Sequence, residues 1–215
     1  MGVLFYIFSL CFPLLILHPM NFEFGALGKS NKIEVGLHTG FAGGEVRGVF
    51  PAVRGEIDFK VENLPSTRGV LQLDARSLQF GHYKVAGDMH SVDWLDSIQF
   101  PQISFTLLEL QEFHWQKKSL VATASGRLRM KNRNIALSIP LSIQYYRAER
   151  RKVDGISGDL LVLTGETTIS RSEMGINPGM MMDTVMDPIK IKINLVGGSL
   201  KVRPFLPSAL FDRDR

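Results

Sequence analysis

The chain has 215 residues, with 25 Lys and Arg against 21 Asp and Glu, a formal charge of +4 and a single cysteine, Cys11. That length suits one domain able to bury most of its apolar surface without staples. The weak positive charge is spread along the chain rather than gathered into a stripe, which argues against nucleic acid as a partner and leaves contact with an anionic membrane surface open.

Val3 to Leu17 form an apolar run as long as a signal-peptide core, interrupted by Pro13 and too short for a comfortable membrane span. Ala26-Leu27-Gly28 follows, with small residues at the two positions a signal peptidase inspects. Residues 1–28 are therefore expected to be a cleaved signal peptide, residues 29–198 the folded domain and residues 199–215 a C-terminal extension; an uncleaved anchor is the alternative. Cys11 would leave with the peptide. The rest of the chain then has no disulfide, no thiolate ligand and no cysteine nucleophile, so its stability rests on its core.

Beyond Lys29 the dominant period is two, the mark of strands with one buried face. Weak alternation runs through Ile33 to Thr39 and Glu45 to Phe50. Ile57, Phe59 and Val61 alternate with Glu56, Asp58 and Lys60, and weaker runs span Gly69 to Asp74, Ile103 to Leu110 and Leu120 to Met130. From Ile135 to Ile143 every odd position is a large aliphatic. Pro140 within that run has no amide to donate, so its main chain must face an edge or a bulge. Ser157 to Ile169 and Ile189 to Leu195 complete the set. Gly43-Gly44, Asn63 to Ser66, Gln116 to Lys118 and Lys131 to Asn134 separate the runs. About eight strands on short connections predict an all-β antiparallel sandwich or barrel. The inward positions Ala122, Ala124 and Gly126 are small and favour a hollow barrel, unless phenylalanines from facing strands fill the space.

No nucleophile elbow, His-Glu-x-x-His pair or phosphate-cradling glycine loop is present, and no catalytic residue is assigned. Asp88, His90, Asp93 and Asp96 could ligate a metal, but Asp88 reads better as the N-cap of a helix that continues to Phe100-Pro101. Met174, Met180, Met181, Met182 and Met186 form a methionine-rich loop, suited to Cu(I), to an adaptable ligand-facing mouth or to ordinary packing.

Several of these segments resemble the YceI-like polyisoprenoid-binding family from about Lys32 to Val196. Gly48-Val49-Phe50 and Gly55-Glu56-Ile57-Asp58-Phe59 are similar to its early strands, and Asp88-Met89-His90 with Phe100-Pro101-Gln102-Ile103-Ser104-Phe105 to its central signature. Thr168 to Ile176 is similar to its late Ile-x-Arg-x-x-x-Gly segment. The resemblance implies a lipocalin-like, extended antiparallel barrel with a short helix between strands, exported to the periplasm or secreted. It also implies a long apolar cavity for an isoprenoid chain, either a polyprenyl phosphate or a quinone tail. Gly87 stands where the family has Arg, Ser91 where it has Leu, and Trp94-Leu95 where it has a Phe pair. The lost positive charge shifts the expected ligand toward a quinone or another neutral lipid.

Phe50, Phe59, Leu128, Ile135, Leu137, Ile139, Ile191 and Ile193 are expected to line the interior, with dry core as the alternative. Trp94, Leu95 and Phe100 would shape one end, and Met182 the mouth. His90 and Arg171 are the polar head-group candidates, with Arg171 paired to Asp88 or Asp93 as the alternative. No cofactor is expected beyond a bound isoprenoid lipid, and a homodimer stays open. The competing readings are a ligand-free envelope protein and a metal- or haem-binding protein using His38, His82, His90 or the methionine loop.

Overall fold

Alternating apolar and polar residues become eleven strands in the computed structural model, which describes residues 20–40, 44–81, 83–180 and 184–202. They are β1 (Met20–Phe24), β2 (Lys32–Thr39), β3 (Glu45–Phe50), β4 (Val53–Phe59), β5 (Arg68–Asp74), β6 (Gln79–Phe80), β7 (Gln102–Gln116), β8 (Ser119–Met130), β9 (Arg133–Tyr146), β10 (Leu160–Ser170) and β11 (Val185–Gly198). Two short helices, α1 (Tyr83–His90) and α2 (Arg151–Asp154), lie between β6 and β7 and between β9 and β10.

Eight strands close an antiparallel barrel in the order β1, β4, β5, β7, β8, β9, β10, β11 and back to β1. β1 pairs with β4 from Met20↔Phe59 to Phe24↔Gly55 and meets β11 at Glu23↔Gly198 and Phe24↔Gly197. Farther along β11, β2 takes over the same edge from Ile193↔Ile33 to Val185↔Thr39, and β3 and β6 extend the sheet outward from it. The barrel therefore keeps one closed end, while the sheet divides toward the other. Lys190 and Lys192 point outward between inward-facing Ile189, Ile191 and Ile193. This polar outside and apolar inside is the inverse of a membrane-spanning barrel.

Pro140 behaves as its chemistry demands. The β9–β10 ladder runs from Leu160↔Tyr146 to Gly165↔Leu141 and stops beside it. From there Arg133 to Pro140 of β9 and Glu166 to Ser170 of β10 have no ladder between them, leaving a seam in the wall.

The closed half is solid. Phe22, Phe59, Leu110, Leu120, Leu161 and Leu195 are almost wholly buried there, and Tyr145 meets Phe22 edge-on at 6.3 Å. A buried polar knot secures that end: the Asp159 carboxylate accepts from Tyr145 Oη at 2.8 Å and from the Ala148 amide at 2.7 Å. Arg150 donates to Asp154 at 2.9 Å and to the Ser199 carbonyl at 2.9 Å. The Asp159 amide donates to the Ser199 hydroxyl at 2.9 Å, which ties the chain after β11 to the start of β10.

Ahead of the expected boundary at residue 28, Met20 to Phe24 form the strand that closes the barrel, with Phe22 at 0% and Phe24 at 4% exposure. Period two is inconspicuous in β1, where only three apolar residues alternate next to a much longer apolar run. One expectation is corrected. Asp88 does not cap a helix start. It lies exposed in the last turn of α1, where its carbonyl accepts from the Ser91 amide at 3.0 Å. Trp94 and Leu95 accordingly sit in the turns after α1, not on a continued helix.

A chain starting at Lys29 should be less stable than one starting at Met20 by roughly 3–6 kcal/mol, the value of burying two phenylalanines. Chemical denaturation of the two chains measures the difference. Equal stabilities would mean that β1 is dispensable.

Candidate functional site: an apolar cavity in one half of the barrel

The hollow half holds a cavity of about 130 Å³. Its wall consists of inward side chains from β2, β3, β5 and β7 to β11, with Leu78, Phe80, Met89, Trp94, Leu95 and Ile176 closing the end. Among the described residues, Thr167 is the only lining residue with a hydroxyl or other non-aromatic polar side chain, and none carries charge, so the chemistry on offer is hydrocarbon contact.

Eight of the residues expected to face the interior surround this space: Phe50, Trp94, Leu95, Leu128, Leu137, Ile139, Ile191 and Ile193. Phe59 does not. It belongs to the solid half, at 2% exposure and opposite Met20. Ile135 packs half-buried against the core at the far end of β9, and Phe100 lies outside the lining, its amide donating to the Asp96 carbonyl at 2.8 Å. Met182 and His82 fall outside the described residues. Ile33, Val35 and Leu37 of β2, Leu71 and Leu73 of β5, and Phe105 of β7 also line the cavity. Each sits on an alternating run visible in the sequence, but alternation alone does not distinguish a wall around space from a wall around packing.

The small residues on β8 do not produce the space expected of them. Ala122 and Ala124 are buried in the solid half. At Gly126 a Cβ would stand 2.6 Å and 2.9 Å from ring carbons of Phe105, so a phenylalanine of the adjacent strand β7, not of a facing one, fills that notch.

Neither polar candidate belongs to the cavity wall. Arg171 has 0% exposure; its Nη1 donates to the Asn177 carbonyl at 2.7 Å and the Ile176 carbonyl at 3.3 Å. Its Nη2 donates to the carbonyls of Met180 at 2.9 Å and Val185 at 3.1 Å. The guanidinium also lies 5.4 Å from the Trp94 ring, a cation–π contact that fixes the indole from behind. The head-group role is thus corrected: four carbonyls, those of Ile176 and Asn177 buried, occupy this cation. Asp88, one proposed partner, is exposed at the end of α1, while Asp93 offers its carbonyl to the Asn177 amide at 2.7 Å.

His90 is likewise occupied. Its Nε2 lies 3.0 Å from the Leu78 carbonyl, which can only accept, so Nε2 carries the proton; Nδ1 lies 3.1 Å from Ser97 Oγ. Lys131, at the β8–β9 turn, completes the clasp by donating to the carbonyls of Trp94 at 2.8 Å, Gly175 at 3.1 Å and Val92 at 3.4 Å. Beneath the loop, the Asp187 carboxylate accepts from the Ser172 amide at 2.9 Å and from the Ser172 hydroxyl. Those hydrogen bonds, with the Ser170 hydroxyl, hold its carboxyl below the usual range. Among the described residues no group of three or more His, Cys, Asp or Glu is placed to hold a metal ion.

Replacing Arg171 by Met should cost at least about 3 kcal/mol in chemical denaturation, because it leaves buried carbonyls unsatisfied. Lys should rescue little of that, since an ammonium cannot span four acceptors in two directions. A loss of ligand affinity at unchanged stability would restore the head-group role.

Asp187 gives a pH dependence of known sign. A carboxyl depressed in the fold stabilises it above the ordinary value of about 3.9, and the effect fades as pH falls through the lower folded value. Asp187→Asn should therefore lower the melting temperature near neutral pH, with the gap from wild type closing on acidification below that range. A gap constant from neutral to acid would rule out the carboxylate as its cause.

Comparison with curated proteins gives no match. The solved structure of BcnA from Burkholderia cenocepacia superposes with a TM-score of 0.63 at 18% identity, covering 77% of this chain and 95% of that one. The Campylobacter jejuni YCEI protein gives 0.58 at 14% identity, over 70% and 83% of the two chains. A polyisoprenoid binding domain from Saccharophagus degradans, implicated in plant cell wall breakdown, gives 0.62 at 9% identity, over 84% and 99%. Such identities speak for the fold alone. The family model of the YceI-like domain matches residues 28–197, and with that match, the closed barrel and its apolar cavity, the chain belongs to the YceI-like family.

Proposed function

We propose that this protein is an exported, non-catalytic carrier that holds the hydrocarbon tail of an isoprenoid lipid inside its barrel, in the periplasm or outside the cell. The observation that carries this reading is the lining: a space of about 130 Å³ with aliphatic and aromatic walls in which, among the described residues, Thr167 alone brings a hydroxyl. Each methylene-sized group moved from water into such a space gains about 0.8 kcal/mol, so binding needs no polar recognition. The binding domain of Saccharophagus degradans supports an isoprenoid over other apolar ligands.

The interior also discriminates by what it lacks. Arg171 and Lys131 donate to main-chain carbonyls of the end segments, and His90 meets the Leu78 carbonyl through Nε2 and Ser97 Oγ through Nδ1. A phosphate drawn into the cavity would lose its hydration without gaining a cation, a large penalty in an apolar site. The structure therefore favours a neutral head, such as a quinone, or a head that stays in solvent.

Native mass spectrometry of the exported protein with extraction of co-purifying lipid tests this directly, and added prenyl quinone should bind the apo form. Ile191→Phe, which places a ring into the cavity, should weaken quinone binding at least tenfold and cost about 1–3 kcal/mol of stability by overpacking. A protein that takes up no prenyl compound, and in which Ile191→Phe changes nothing but stability, would instead be a filled barrel with a structural role.

A further inference from the structure

The cavity is small for a lipid site. An engineered cavity of roughly 150 Å³ takes one benzene, and sites enclosing a drug-sized ligand run to roughly 300–1,000 Å³. The 130 Å³ available here matches about one five-carbon isoprene unit. What stops it from going deeper is identifiable. Along β7 the inward residues are Ile103 and Phe105 in the cavity wall, then Leu107 and Leu110, buried at 6% and 1% exposure and outside the lining. The Phe105 ring lies against Gly126, the register partner of Leu107, where a Cβ would stand 2.6 Å and 2.9 Å from its ring carbons.

The same half of the barrel has a natural exit. Leu137 and Thr167 line the cavity on either side of the seam where the β9–β10 ladder has ended, and both are half-buried. Chain that does not fit inside can leave there without breaking a ladder hydrogen bond.

We infer that the barrel grips only the terminal one or two isoprene units of its ligand, that Phe105 is the stop that sets this depth, and that the rest of the chain and its head leave through the seam beside Pro140. This rests on the isoprenoid reading and narrows it: the site measures a tail end, not a whole lipid. Short prenyl compounds are then ligands in their own right.

A length series separates the two levels of the argument. Prenyl alcohols of one, two, three and four units (3-methyl-2-buten-1-ol, geraniol, farnesol and geranylgeraniol) are competed against one fluorescent apolar probe on the full chain. A fully buried unit raises affinity by about a thousandfold. The expected result is a steep rise from one unit to two, then less than about threefold for each further unit. A rise of a hundredfold or more per unit through three and four overturns the length limit but leaves the isoprenoid reading intact; no binding at any length overturns both. In Phe105→Ala the break should move one unit longer, with Phe105→Leu as the milder variant should Ala fold poorly. A break that stays at the same length in a folded variant removes Phe105 as the stop.

Discussion

Everything in this molecule depends on the closure of its sheet by five residues. β1 bridges β4 on one side and the end of β11 on the other, and its Phe22 and Phe24 enter the core at that junction. Without it, β4 and β11 would each present an unpaired row of amides and carbonyls, the usual liability of an open edge. Its contact with β11 is short because the neighbour there changes: from Asn194 toward Val185 the same edge belongs to β2. One end of the barrel is thus tied shut by main-chain hydrogen bonds. The other is closed by side chains and turns, and there the cavity lies.

That difference explains the division of the interior. Where the ladder is continuous, strands hold fixed spacing and opposing side chains interlock, so Leu161 and Leu195 reach 0% exposure. Where β2 has left for β3, and β9 has lost β10 at Pro140, fewer walls converge and inward residues such as Leu137 and Ile191 stay half-buried. The space comes from topology more than from small residues. Ala122, Ala124 and Gly126 lie in or beside the solid half, and Phe105 occupies the notch that Gly126 leaves.

Much of the fold was legible in the sequence because period-two alternation is a direct consequence of strand geometry. The runs at Ile135 to Ile143 and Ile189 to Leu195 became β9 and β11, and Pro140 marked a break that the ladder confirms. β1 was hidden by the apolar segment before it, whose composition resembles a leader more strongly than Met20 to Phe24 resemble a strand. For the cavity, alternation named inward faces but not their occupancy, so Phe59 and Leu137 read alike although one is core and the other is wall. Arg171 was misplaced for a different reason. A charged residue among apolar ones signals function or a structural cation equally, and only the positions of four carbonyls decide between them.

Those carbonyls also show why the interior can be blind to charge. Closing a barrel end with irregular backbone exposes main-chain acceptors that a strand would have paired, and each must find a donor when buried. Arg171 serves the segment from Ile176 to Val185, Lys131 the turns around Trp94 and Gly175, and His90 the Leu78 carbonyl. None of the three donors belongs to the apolar wall, and the guanidinium rests 5.4 Å from Trp94, which does. The groups that make the end segments rigid are thereby withdrawn from the ligand. Selection among ligands then falls to the shape and depth of the hydrocarbon surface, which is where Phe105 and the seam beside Pro140 act.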